Sequence, residues 1–306
     1  MNLIKKNQLL HSDAGPKTLI WMVKFVFAVW FFRYLVDPLQ SLAELPVGYS
    51  APVGILKLVT TPVYAALHSK FSLTLIKVLI LASCVGVWIP KHRLKSAVVG
   101  CVVILLANTI SRGFGHINHA EIAPWFVTVI LTYFMSRLST DQIECPDNNP
   151  NPVASAAMVL ATTVFAVTYS LVGAARFVNG GIEFLAGDSI PNAVLRMSHH
   201  DWFFEYNFAP VIIASPVLIL VLKLGTAAVT VFEIVAPLCL ISQRFRKAFL
   251  LFVPAFHLGA ILIFKIDFIE NVLLMVLFIN VTAWINRESF EAPAIYSFES
   301  KPTTIA

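Results

Sequence analysis

The run TTVFAVTYSLVGAARFVNGG, residues 162–181, is apolar enough to cross a bilayer, yet it carries Arg176 near its end. Two more ionisable groups stand in comparable surroundings: Glu233 in TVFEIVAPLCL and His257 in LFVPAFHLGAILIF. An ionised side chain at mid-bilayer costs about 2.5–3.5 kcal/mol on insertion scales, so each such group needs a partner, a wet cavity or a task. Glu233 precedes Pro237 by four residues, and the proline lacks the amide that the Glu233 carbonyl would otherwise accept from. The carboxylate must be neutral or paired, and Arg176 and Arg112 are its candidate cations. Arg176 has two readings, snorkelling to headgroup phosphates from the end of a span or pairing within the bundle. His257, between Pro254 and Gly259, is expected to face a cavity, where an imidazole serves a ligand, a proton path or a neighbouring helix.

A fourth patch is SRGFGHINHAEIAPW, residues 111–125. Arg112, His116 and His119 recur at spacings of four and three, which would align them on one helix face. Gly113 and Gly115 interrupt that helix and suggest a tight turn between spans. Such a group could bind an anion, a quinone oxygen or a lipid headgroup, although His116 by itself also reads as a solvated loop residue. His119 follows Asn118 at the start of an apolar run, so its ring should point inward. These residues do not form a metal set. His199 and His200 are adjacent and point to different faces, and the chain has no HExxH, nucleophile elbow, phosphate loop or dinucleotide fingerprint. Of the four cysteines, Cys84, Cys101 and Cys239 lie in apolar runs as small hydrophobes. No CxxC pair occurs, and neither disulfide nor zinc is expected.

The elements that must position these groups follow from composition. The 306 residues are 58% hydrophobic and 13% charged, with a mean hydropathy of +0.79, whereas soluble domains carry about 25% charge. The expected fold is all-α, a polytopic transmembrane helical bundle of about eight spans with additional interfacial or re-entrant helices. Candidate spans are 20–36, 72–89, 96–111, 121–138, 153–176, 225–242, 248–264 and 268–286. The stretches 52–67 and 209–222 are broken by Pro52, Gly54, Pro62, Pro210 and Pro216 and suit re-entrant or interfacial helices better. Basic clusters at Lys5, Lys6 and Lys17, at Lys91–Lys95, and at Arg244–Lys247 place both termini in the cytoplasm. Residues 1–19 then form a cytoplasmic segment, 20–286 the membrane domain and 287–306 a cytoplasmic tail. Residues 177–207 form a non-cytoplasmic loop with an interfacial helix near Trp202, Phe203 and Tyr206. The net charge of +5 is accounted for by these span ends, and no nucleic acid is expected as a partner.

Three of the polar patches, in this order, resemble the vitamin K-dependent gamma-carboxylases and the wider group of HTTM-domain membrane proteins. Asn118–His119 opening a span resembles the Asn-His of that family. Tyr169-Ser-Leu-Val-Gly173-Ala-Ala-Arg176 resembles its Tyr-x-x-x-Gly-x-Lys-Lys segment, and Phe256–His257, downstream of Glu233, resembles its Phe-His. The intervening HHDWFF is similar to an Arg-His-Trp stretch of the family. The resemblance runs from about residue 18 to 290. It implies a membrane enzyme that oxygenates a hydroquinone and uses the resulting base to carboxylate glutamate. His119, His257 and Arg176 would then be catalytic, with Arg112, His116, Asn118, Tyr169 and Glu233 lining a site for a quinol like vitamin K hydroquinone.

Two departures qualify that implication. The family's basic lysine falls at Arg176, and a guanidinium essentially cannot deprotonate. The family also carries a large substrate-engaging region after the membrane domain, whereas about twenty residues follow the last candidate span here. The expectation is therefore a small HTTM-type protein of a bacterial inner membrane that binds a quinone, isoprenoid or other membrane lipid. Alternatives are a non-enzymatic accessory for a small peptide or protein in maturation, export or immunity, and a transporter.

Overall fold

A computed structural model describes residues 13–114, 121–181, 187–198, 207–264 and 269–279. Among the described residues every regular element is helical. Helix α1 spans Pro16–Val36; after it come 3-10 turns at Leu39–Glu44, Val47–Tyr49 and Gly54–Leu58, then α2 (Thr61–Leu67) and α3 (Lys70–Gly86). They are followed by α4 (Arg93–Gly113), α5 (Ile122–Met135), α6 (Thr140–Glu144) and α7 (Pro152–Gly180). Beyond these lie α8 (Ser189–Ser198), α9 (Ala209–Ile213), α10 (Pro216–Ile234), α11 (Leu238–Ile241), α12 (Gln243–Phe264) and α13 (Ile269–Leu274).

Among the described residues, five helical stretches are long and apolar enough to cross a membrane: Pro16–Val36, Pro90–Gly113, Pro152–Gly180, Pro216–Ile234 and Gln243–Ile263. The α2–α3 pair, bent by 65°, makes a sixth if counted as one span. The expected spans at 121–138 and 268–286 correspond to shorter apolar helices, Ile122–Met135 and Ile269–Phe278. These features are compatible with an integral membrane protein.

Prolines set several boundaries. Pro16, Pro152 and Pro216 each stand in the first turn of a long helix, where the missing amide would have had no helical partner. Polar caps reinforce two of these starts. The Asn151 side chain accepts from the amides of Val153 and Ala154 at 2.9 and 3.2 Å, and Ser215 accepts from Leu218 at 3.4 Å. Pro216 therefore opens a helix where the sequence suggested a break, and the span expected at 225–242 instead runs 216–234. Pro237 ends it. The amide of Ala236 turns back to the Glu233 carbonyl at 3.1 Å, so that carbonyl is satisfied although the α-helical ladder stops.

Helix α1 lies at the centre of the core, packed against α3, α5, α7 and α13. Leu19, Ile20, Met22, Phe27 and Trp30 are among its fully buried side chains. Several buried polar atoms on neighbouring helices find one another. Trp30 Nε1 donates to Thr128 Oγ1 at 2.8 Å, and Tyr34 donates to Asn108 Oδ1 at 2.8 Å. Arg93, buried, donates to the carbonyls of Val87 and Ile143 and holds α4 against the loop ahead of it and against α6. Outward faces are apolar, with Phe71, Val102, Val221, Leu224 and Leu251 exposed.

The Phe27 side chain of α1 reaches α4 at Gly100, where an added Cβ would lie 2.4 Å from its ring. Overpacking of this kind costs about 1–3 kcal/mol, against a helix-propensity gain of up to about 1 kcal/mol. Gly100→Ala should lower the thermal unfolding midpoint in detergent. Gly225→Ala, with nothing within 4 Å of the new methyl, should leave it unchanged or raise it.

Candidate functional site

Helices α7, α10 and α12 bring together four of the residues singled out from the sequence: Tyr169, Arg176, Glu233 and His257. The close approach starts at Gly173. A Cβ there would lie 2.8 Å from Glu233 Cβ and 3.0 Å from the Thr230 carbonyl oxygen, so α7 and α10 meet this tightly only with glycine at that position. One turn before it, Ser170 donates to the Ile234 carbonyl at 2.7 Å and satisfies an orphan acceptor at the end of α10. One turn after it, Arg176 Nη1 meets Glu233 Oε2 at 2.5 Å and lies 3.4 Å from Thr230 Oγ1. Arg176 thus pairs within the bundle. This is the pairing that one of its two sequence readings expected.

The pair is asymmetric in exposure. The Glu233 side chain is 3% accessible and that of Arg176 is 25%. The carboxylate is held at the helix interface while part of the guanidinium faces outward, where it can meet a second anion. A charge-assisted contact of this kind is stronger than a neutral hydrogen bond. It also neutralises Glu233, which would otherwise be a bare anion among apolar side chains.

A second pair lies beside the first. The Tyr169 hydroxyl and His257 Nε2 are hydrogen-bonded at 3.0 Å, and both residues are buried. Tyr169 also stacks edge-on against Phe165 and Phe249, at centroid distances of 5.2 and 5.8 Å. Phe278 packs on both of those rings. The centre is therefore polar on one side and aromatic on the other. It offers a partly accessible guanidinium to an anion or oxyanion at Arg176 and a hydrogen-bonding imidazole at His257, while Phe165, Phe249 and Phe278 are fully buried core side chains. Arg112 lies apart in sequence on the last turn of α4. His116, Asn118 and His119 lie outside the described residues.

The structure contains another charged centre that the sequence reading passed over. Arg33 Nε lies 3.0 Å from Glu270 Oε1, and Arg33 Nη2 lies 3.3 Å from Glu121 Oε1. The same Nη2 is 3.7 Å from Asp37 Oδ2, one turn further along. Arg33 thereby ties α1 to the start of α5 and to α13. Each of these residues stands near the end of an apolar run, which made it look like an ordinary boundary charge. The signal that could have found them was the coincidence of one cation and two glutamates at the margins of three separate runs. Among the described residues no group of three or more His, Cys, Asp or Glu could hold a metal ion.

No family model, curated protein or solved structure matches the chain.

The geometry makes two predictions about stability. In a double-mutant cycle, Arg176→Ala and Glu233→Ala should each lower the thermal midpoint, and the double variant should lose less than their sum. The expected coupling is about 1–3 kcal/mol, and strict additivity would remove the pair as a stabilising contact. Removing one partner of a buried ion pair costs about 3–5 kcal/mol, whereas a cation–π contact at an exposed site contributes about 0.5–1 kcal/mol. Arg33→Ala should accordingly reduce folded yield and melting temperature far more than Lys24→Ala, whose Nζ lies 5.2 Å from the Trp88 ring centroid.

Proposed function

We propose that this chain is an HTTM-type protein of a bacterial inner membrane. In this reading the centre formed by Tyr169, Arg176, Glu233 and His257 binds a quinol, an isoprenoid or a similar lipid with a polar head. The observation that carries the reading is the juxtaposition of a partly accessible guanidinium, a hydrogen-bonded imidazole–phenol pair and an aromatic wall within apolar helices. It is also supported by the resemblance of the Tyr169–Arg176 and Phe256–His257 segments to gamma-carboxylase motifs.

The residues present suit a quinol in their chemistry. A bound quinol would supply two electrons and an ionisable hydroxyl. His257 is the group able to take or return that proton, with its ring oriented by Tyr169. Arg176 stabilises negative charge on a ligand oxygen, and Glu233 fixes the guanidinium in place. Arg176 does not act as the base, because guanidinium stays protonated at any physiological pH. Glutamate carboxylation is therefore disfavoured, and binding or redox chemistry at the headgroup is the better assignment.

A second reading has one observation in its favour. Glu233 already matches the Arg176 charge, as it would in a purely structural pair serving a membrane accessory for a small peptide or protein. Mass spectrometry of lipids co-purifying with wild type, His257→Ala and Arg176→Ala separates the two. A quinone or isoprenoid retained by wild type and lost from both variants is the expected outcome. The same lipid profile in all three proteins would transfer the assignment to the accessory reading.

A further inference from the structure

A third polar cluster lies away from both charged centres, in the irregular stretch between α1 and α3. Ser50 ends the 3-10 turn Val47–Tyr49, and the next residue is anchored to α4, with the Ala51 amide donating to the Gly113 carbonyl at 2.8 Å. The Ser50 hydroxyl is hydrogen-bonded to the Tyr64 hydroxyl, and Ser50 Oγ lies 3.4 Å from His68 Nε2. His68 Nδ1 lies 2.8 Å from the Tyr64 carbonyl oxygen. The imidazole is buried, with its centroid 4.4 Å from the Tyr64 ring and 5.2 Å from the Phe114 ring. Gly113 makes room for the group, since a Cβ there would lie 2.7 Å from both Ser50 Oγ and the Tyr64 hydroxyl.

The direction of these hydrogen bonds follows from the donor inventory. A carbonyl oxygen only accepts, so the Tyr64 carbonyl requires the proton of His68 on Nδ1. In the neutral ring Nε2 is then an acceptor, and the neighbour positioned to donate to it is the Ser50 hydroxyl. Ser50 Oγ in turn accepts from the Tyr64 hydroxyl. A serine whose proton points at an imidazole, with that imidazole held in one tautomer by a third group, is the arrangement that activates a hydroxyl nucleophile. A backbone carbonyl here takes the orienting role that a carboxylate takes in a catalytic triad. It fixes the tautomer but brings less charge to stabilise an imidazolium, so slow turnover is expected.

We propose that Ser50 is a nucleophile activated by His68, with acyl esters or thioesters of membrane lipids as its substrate class. The lipid assignment comes from its surroundings. Ser50 is partly exposed, and it stands among outward-facing Tyr49, Ile55, Leu58 and Val63, on short helices whose apolar side chains suit the acyl boundary of a bilayer. Ser50 Oγ attacks the acyl carbonyl carbon while its proton passes to His68 Nε2. Collapse of the adduct breaks the bond to the leaving alcohol or thiol, which takes that proton from His68. Water then repeats the sequence on the acyl-serine, releasing the carboxylic acid and restoring both residues. The Tyr64 hydroxyl is the donor placed beside the reacting oxygen.

The test is covalent labelling of the full chain in detergent with a fluorophosphonate probe, read by peptide mass spectrometry and in-gel fluorescence. Wild type should carry the adduct on Ser50, Ser50→Ala should carry none there, and His68→Ala should label about a hundredfold more slowly or less. Gly48→Ala, whose added methyl would meet nothing within 4 Å, should label at the wild-type rate, and the melting temperature of each variant shows whether its fold survives substitution. Wild-type protein without an adduct on Ser50 after prolonged exposure would overturn the proposal, as would equal rates in wild type and folded His68→Ala.

Discussion

Charge inside an apolar bundle must be matched inside it, and much of this structure follows from how that is done. Arg33 and Arg176 sit on largely apolar helices, and each is neutralised by carboxylates from other parts of the chain. In lipid, apolar surface gives helices little reason to prefer one neighbour over another, so small residues and polar pairs specify the packing. Arg33 selects the start of α5 and α13 as neighbours of α1. Arg176 selects α10 as the neighbour of α7, and Gly173 lets the two backbones come close enough for the pair to form.

The same constraint shapes what the polar centre can do. A guanidinium already held by Glu233 has fixed orientation, and its partial exposure leaves it able to meet a ligand oxygen without the cost of placing an isolated charge in lipid. His257 and Tyr169 complete a short hydrogen-bonded pair whose walls are aromatic. Packing and chemistry thus draw on the same few residues. Substitutions there change helix packing as well as the polar chemistry of the centre.

Much of this was legible in particular residues, and for physical reasons. Apolar runs announced the helices, because satisfying every backbone polar group within lipid leaves helix as the conformation a single segment can adopt. Arg176, Glu233 and His257 drew notice because their types conflict with their surroundings, and of the two cations the sequence offered Glu233, Arg176 is the one it pairs with. Pro216 misled, since the ring that breaks a helix interior is equally suited to a first turn. Ser50, Tyr64 and His68 carried no signal at all. Serine and histidine in an irregular, proline-containing stretch look like any loop, and nothing in their spacing requires that they meet.

Composition and hydropathy by themselves determined that the chain is an all-helical bundle with segments able to cross a membrane, and which charges would need partners. Those properties are local, set by the solvent that each segment can tolerate. Only the tertiary structure decided which partner each charge takes, that Arg33 gathers three carboxylates, and that Ser50 reaches His68. Such contacts depend on which helices are neighbours and on their relative depth and rotation, and those are settled by long-range packing that no single segment encodes.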